Sequence, residues 1–118
     1  MATTTKHQAL TDRADRYLTY LESEWGDVPR LGSQWAQWAE DERLDLQVEW
    51  AIREDRLGAL ERMERDRALN ARQQARLVAL RRVIAANRET LERLFASCVP
   101  LRRPKPDATR ALDTGIDE

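Results

Sequence analysis

An all-α fold is expected from three observations. Apolar residues recur at helical spacing along most of the chain. Charged residues make up 35% of it, mostly Arg and Glu among many Ala and Leu, which is helix-forming composition. Only four Gly and four Pro occur, and they gather where helices would end. The expected architecture is three helices, the last two a long antiparallel helical hairpin. These form a single helical domain over residues 1–99. Residues 100–118 are expected to be a flexible, disordered C-terminal tail containing Pro and Arg.

Residues 1–7 read as a polar arm. Thr11 is a plausible N-cap with Asp12 in the first turn. Leu10, Ala14, Tyr17, Leu18, Leu21 and Trp25 then follow helical spacing. Gly26 stands where a helix-ending left-handed residue is wanted. Asp27, Val28 and Pro29 read as a turn or a short extra turn of helix. Ser33 is the expected N-cap of a second helix running from about Gln34 to about Arg67. Within it, Leu44, Leu46, Val48, Trp50 and Ile52 alternate with other residues at a period of two. That is a strand signature, but no second strand candidate exists to pair with it, and a lone strand is unstable. As a helix, this segment would be buried on a broad face at the centre of the core. Gly58 suggests a bend or a close helix crossing, at a cost of about 1 kcal/mol against Ala.

Asn70 is the expected N-cap of the third helix. No Gly or Pro forces a break before it. A hairpin is favoured because one continuous rod would span about 90 Å. Leu77, Leu80, Ile84, Leu91, Leu94 and Cys98 form a near-heptad seam, with Asn87 at the position where another apolar residue belongs. Such a seam is suited to meet another helix. Asn87 is read either as a register-setting polar group or as a residue at an exposed end. After Val99, the prolines at 100, 104 and 106 stop any helix.

The net charge of −1 hides an uneven distribution. Residues 31–69 carry six basic and ten acidic groups, while residues 70–99 carry six and two. Two helices of opposite charge packed side by side would explain this. A basic helix facing an external polyanion is the alternative.

Little in the sequence points to catalysis, a cofactor or a metal. The one histidine, His7, lies in the polar arm, and the one cysteine, Cys98, on the seam. A nucleophile with an adjacent base is therefore not expected. The glycines stand alone, so no phosphate-cradling loop is read. Glu40, Asp41 and Glu42 lack the Glu-x-x-His that carboxylate-bundle metal sites add. They read as a solvated face. One cysteine excludes an intrachain disulfide. No apolar run approaches the length of a membrane span or a secretory leader. A cytoplasmic protein that does not enter membranes is expected.

Function is expected to be non-enzymatic: a helical interaction or assembly protein that meets a protein partner or itself, as a homo-oligomer. The expected contact residues are Leu77, Leu80, Ile84, Asn87, Leu91, Leu94 and Phe95, with Trp35 and Trp38 as a second anchor. The alternative is a small subunit of a larger complex that holds a nucleic-acid backbone. It would do so through Arg72, Arg76, Arg81, Arg82 and Arg88 of the third helix and Arg102, Arg103 and Lys105 of the tail. A sequence pI of about 5.9 argues against a stand-alone nucleic-acid binder.

Overall fold

The computed structural model describes residues 2–97. Cys98, Arg102, Arg103, Lys105 and the expected tail lie outside the described residues. Within them the chain is helical and contains no strand. Helix α1 spans Ala2–Gly26, the short helix α2 Val28–Gln34, α3 Glu40–Arg65 and α4 Ala71–Ala96. A 3₁₀ turn, Trp35–Gln37, separates α2 from α3.

Helix α1 begins earlier than the sequence suggests. Nothing from Ala2 to Leu10 breaks a helix, and Gln8 Nε2 donates to Asp12 Oδ1 at 3.0 Å. Thr11 is thus a helix-interior residue rather than a cap. The buried stripe is Ala14, Leu18, Leu21 and Trp25, each at 1% exposure or less. The steps of four, three and four keep them on one face. Gly26 ends α1 without a positive φ. Only Asp27 separates it from α2, whose Val28 is fully buried.

The expected second helix starts six residues late. Trp38 and Ala39 are extended, with ψ of 145° and 152°. Arg43 Nε and Nη2 donate to the Trp38 carbonyl and hold that break in place. Ser33 lies within α2, and its hydroxyl donates to the Arg30 carbonyl instead of capping. At the start of α3, Glu42 Oε1 accepts from the Ala39 N–H. Glu40, Asp41 and Glu42 occupy the first turn, where the helix dipole favours negative charge.

The period-two segment is helical, and it is not the centre of the core. Trp50 is buried, but Val48 and Ile52 are exposed. A helix turns about 100° per residue, so five alternating positions cannot share one buried face. Gly58 marks no close crossing. A Cβ there would meet only the Arg62 guanidinium, at 3.6 Å.

The chain breaks at residues 66–70. Arg67 takes a φ of 59°, rare for a side-chain-bearing residue. Ala68 N–H donates to the Met63 carbonyl and Arg67 N–H to that of Glu64. These two bonds form a Schellman motif with Arg67 in the place usually held by Gly. Asn70 then caps α4 as expected. Its Oδ1 accepts from Gln73 N–H, and Gln73 Oε1 accepts from Asn70 N–H.

The core joins α1, α3 and α4. Leu57, Leu60, Met63, Leu77, Leu80, Ile84 and Leu91 pack with the α1 stripe. Helix α1 packs more extensively on α4 than α3 does, so α1 fills the seam of α4. Helices α3 and α4 also meet through ion pairs, Arg81 with Glu64 and Arg88 with Glu54. The last two helices are two of three long helices that share one core. Gln73 is 1% exposed, and its Nε2 donates to the Thr11 carbonyl and to Asp15 Oδ1. It ties the start of α4 to α1 with its polar atoms satisfied.

Replacing Arg67 by Gly removes the left-handed penalty on a β-carbon. The expected result is a gain of about 1 kcal/mol in urea unfolding with an unchanged denaturant slope.

Candidate interaction surface and aromatic cleft

The expected contact residues on the last helix are used inside the chain. Leu77, Leu80, Ile84 and Leu91 are at most 6% exposed, covered by the chain's own helices. This corrects the expectation that they meet a second chain: α1 supplies the helix their seam requires. Leu94 is half-buried. Asn87 Nδ2 donates to the Val83 carbonyl, one turn back on its own helix, at 2.8 Å. It therefore makes no cross-helix hydrogen bond that would set a register.

The aromatic anchors are brought together, mostly inside. Trp25 meets Trp50 edge-on at 5.3 Å between ring centroids. Trp50 meets Phe95 at 5.9 Å, and Phe95 meets Trp35 at 6.1 Å. Trp35 meets Trp38 at 5.9 Å. This chain of rings links α1, α3, α4 and the 3₁₀ turn at one end of the molecule. Trp35 is buried, and its Nε1 donates to Ser97 Oγ at 3.0 Å. Trp38 is only half-buried. It lines a cleft of about 330 Å³ with Glu24, Asp27, Arg30, Leu31, Gln34, Leu46 and Trp50.

The charge asymmetry of the sequence is largely spent between helices. Arg76 of α4 donates to both carboxylate oxygens of Glu22 and lies 3.6 Å from Asp15, both on α1. Arg81 holds Glu64 at 2.6 Å, and Arg88 holds Glu54 at 3.2 Å, both on α3. Hydrogen bonding to Glu22 and to Glu64 holds the guanidiniums of Arg76 and Arg81 above their ordinary value. The bond from Arg81 likewise holds the Glu64 carboxyl below the usual carboxylate range. Of the described arginines expected to meet nucleic acid, Arg76, Arg81 and Arg88 thus face carboxylates of the same chain. Arg72 and Arg82 are exposed on the outer side of α4.

Arg53 was not singled out in the sequence. It is 8% exposed, and its Nε and Nη2 both donate to Glu24 Oε1. Nη1 donates to the Glu49 carbonyl. The guanidinium carbon lies 4.9 Å from the Trp50 ring centre and 5.6 Å from that of Tyr20. Planar guanidinium suits this combination of stacking and forked bonding. An Arg at helical spacing between Trp50 and Leu57 was the available signal.

One apolar surface is left uncovered on α3. Val48 is 69% exposed and Ile52 47%. They lie one turn apart, with half-buried Leu44 one turn earlier, on the side of α3 away from Trp50, Leu57 and Leu60. Asp41, Asp45, Glu49 and Asp55 flank this stripe, and none of them is in an ion pair among the described residues. No group of three or more metal-binding side chains is gathered among the described residues. No described helix is long and apolar enough to cross a membrane. Comparison with family models, curated proteins and solved structures finds no match to this chain.

Three variants probe these ion pairs. Arg53→Ala leaves the Glu24 carboxylate without its partner and is expected to cost about 2 kcal/mol, allowing for the partial exposure of Glu24. Arg53→Lys recovers only part of this in the same unfolding experiment, because it loses the fork. The Glu64 carboxyl is lowered in the folded state, so its contribution is complete above the usual carboxylate range. That contribution is lost as pH falls through the lowered folded value. Urea midpoints measured down to about pH 3 are expected to fall less steeply for Glu64→Gln than for the parent.

Proposed function

We propose that this chain is a non-enzymatic helical interaction protein whose contact surface is the outward face of α3. The observation that carries the reading is the Leu44, Val48 and Ile52 stripe, at spacings of four, opposite the core side of its helix. Core packing gives Val48 and Ile52 nothing to bury against. Burying a Val or Ile side chain stabilises by about 1.5–3 kcal/mol, so a partner that covers them gains from it. The unpaired acids at its two ends and along one edge select a basic partner. An amphipathic helix with an apolar stripe and Arg or Lys at its margins fits this chemistry. A second copy of α3 brings Asp41 toward Asp55 in antiparallel register, a like-charge penalty that disfavours homo-oligomers on this face.

This reading keeps the interaction role and moves its site from the last helix to α3. It places the protein in the cytoplasm, in keeping with a single cysteine and no possible intrachain disulfide. The nucleic-acid alternative is less supported, since Arg76, Arg81 and Arg88 already hold carboxylates. An acidic exposed face repels phosphate as well.

The test is titration of the full chain with a helical Leu/Arg peptide, followed by calorimetry. Val48→Asp with Ile52→Asp is expected to weaken binding about tenfold or more while helicity is kept, since both sites already face water. An unchanged affinity in that variant overturns the reading. Light scattering on a sizing column, with absorbance at 260 and 280 nm, separates the competitors. A dimer dissolved by the same variant identifies a second copy. Excess 260 nm absorbance stripped by salt identifies nucleic acid.

A further inference from the structure

Beyond Ile52 the exposed side of α3 changes chemistry. Arg56 follows Ile52 by one helical turn, on the same row of side chains as Leu44 and Val48. Its guanidinium carbon lies 5.1 Å from the ring centres of both Tyr17 and Tyr20 on α1. Arg56, Tyr17 and Tyr20 are all half-buried, so each keeps some surface in water. Contact with the rings engages the positive charge but none of the five N–H donors of the guanidinium.

Arg53, Arg76, Arg81 and Arg88 each reach another helix and hold a carboxylate there: Glu24, Glu22, Glu64 and Glu54. Arg56 reaches α1 as well, but it is in no ion pair among the described residues. Arg53 lies 5.6 Å from the same Tyr20 ring and shows what completes such a group: rings against the charge, and a carboxylate on the fork. Asp55, the preceding residue, points about 100° away round the helix. Its negative charge disfavours a phosphate dianion at this end of the face, and a single carboxylate is the anion that fits.

We propose that Arg56 is the polar anchor of the α3 face and takes a carboxylate from the partner helix, one turn beyond the apolar residues that cover Val48 and Ile52. This rests on the reading that the outward face of α3 is the contact surface. The partner is then an amphipathic helix with Arg or Lys along its margins and one Asp or Glu at the Arg56 end. A turn of helix rises about 5.4 Å, so a residue four places past the apolar stripe of a helix lying along α3 arrives over Arg56. The two tyrosine rings hold the guanidinium beforehand, which lowers the ordering cost when the carboxylate binds. The anchor also fixes the direction of the partner, because the other end of the stripe presents Asp41 and Asp45.

The test titrates the full chain with three helical peptides that carry Leu at three successive i,i+4 positions and Arg at the margins. They differ only one turn beyond the Leu stripe: Gln at both ends, Glu at the N-terminal end, or Glu at the C-terminal end. Calorimetry at low salt is expected to show at least one Glu peptide binding about fivefold or more tighter than the Gln peptide. Arg56→Gln, with helicity checked by circular dichroism, is expected to remove that advantage. Arg56→Lys is expected to keep only part of it, because an ammonium retains the charge and loses the fork. Equal affinities of the three peptides overturn the proposal, as does an advantage that survives Arg56→Gln. If the Gln peptide is still weakened by Val48→Asp with Ile52→Asp, the α3 surface stands without this anchor. Binding by none of the three overturns both readings.

Discussion

The structure depends on α1 filling the apolar seam of α4. Leu18, Leu21 and Trp25 are fully buried there, and Leu77 and Leu80 opposite them nearly so. Each such side chain contributes about 1.5–3 kcal/mol of burial. The ion pairs between α3 and α4 are more than a third exposed and belong to a class worth about 0–1 kcal/mol each. Apolar burial around α1 therefore determines whether the domain holds together. The charged pairs fix which neighbours α4 accepts and how it is aligned against them. Gln73 adds direction to the same contact, since both of its Nε2 bonds require Thr11 and Asp15 in place.

That arrangement also decides what is left outside. Helix α3 gives Trp50, Leu57 and Leu60 to the core and has no neighbour on the opposite side. Val48 and Ile52 remain there because three helices cannot cover every face of one another. The break at Trp38 and Ala39 turns the chain and leaves Trp38 at the lip of a cleft. Arg43 stabilises this break by bonding the Trp38 carbonyl.

Arg53 and Arg67 show how local chemistry was concealed in the sequence. In the sequence Arg53 is one of many charged residues on a helix. It instead uses Glu24 from α1, the Glu49 carbonyl and two aromatic rings. Arg67 ends α3 in a conformation that a sequence reader assigns to Gly. The Schellman bonds and the pull of core burial on both flanking helices offset its strain.

The sequence by itself determined that the chain is helical, that Asn70 caps the last helix and that its apolar residues form one seam. It also determined the opposite charges of the last two long helices, which the pairs from Arg81 to Glu64 and from Arg88 to Glu54 express. These features are local, set by periodicity, capping chemistry and composition within one segment. Only the tertiary structure decided that α1 covers the seam, that Ile84 and Leu91 are interior, and that Val48 and Ile52 are not. Periodicity gives the direction of an apolar face but not its neighbour, because apolar burial is non-directional and any helix with a matching stripe can supply it.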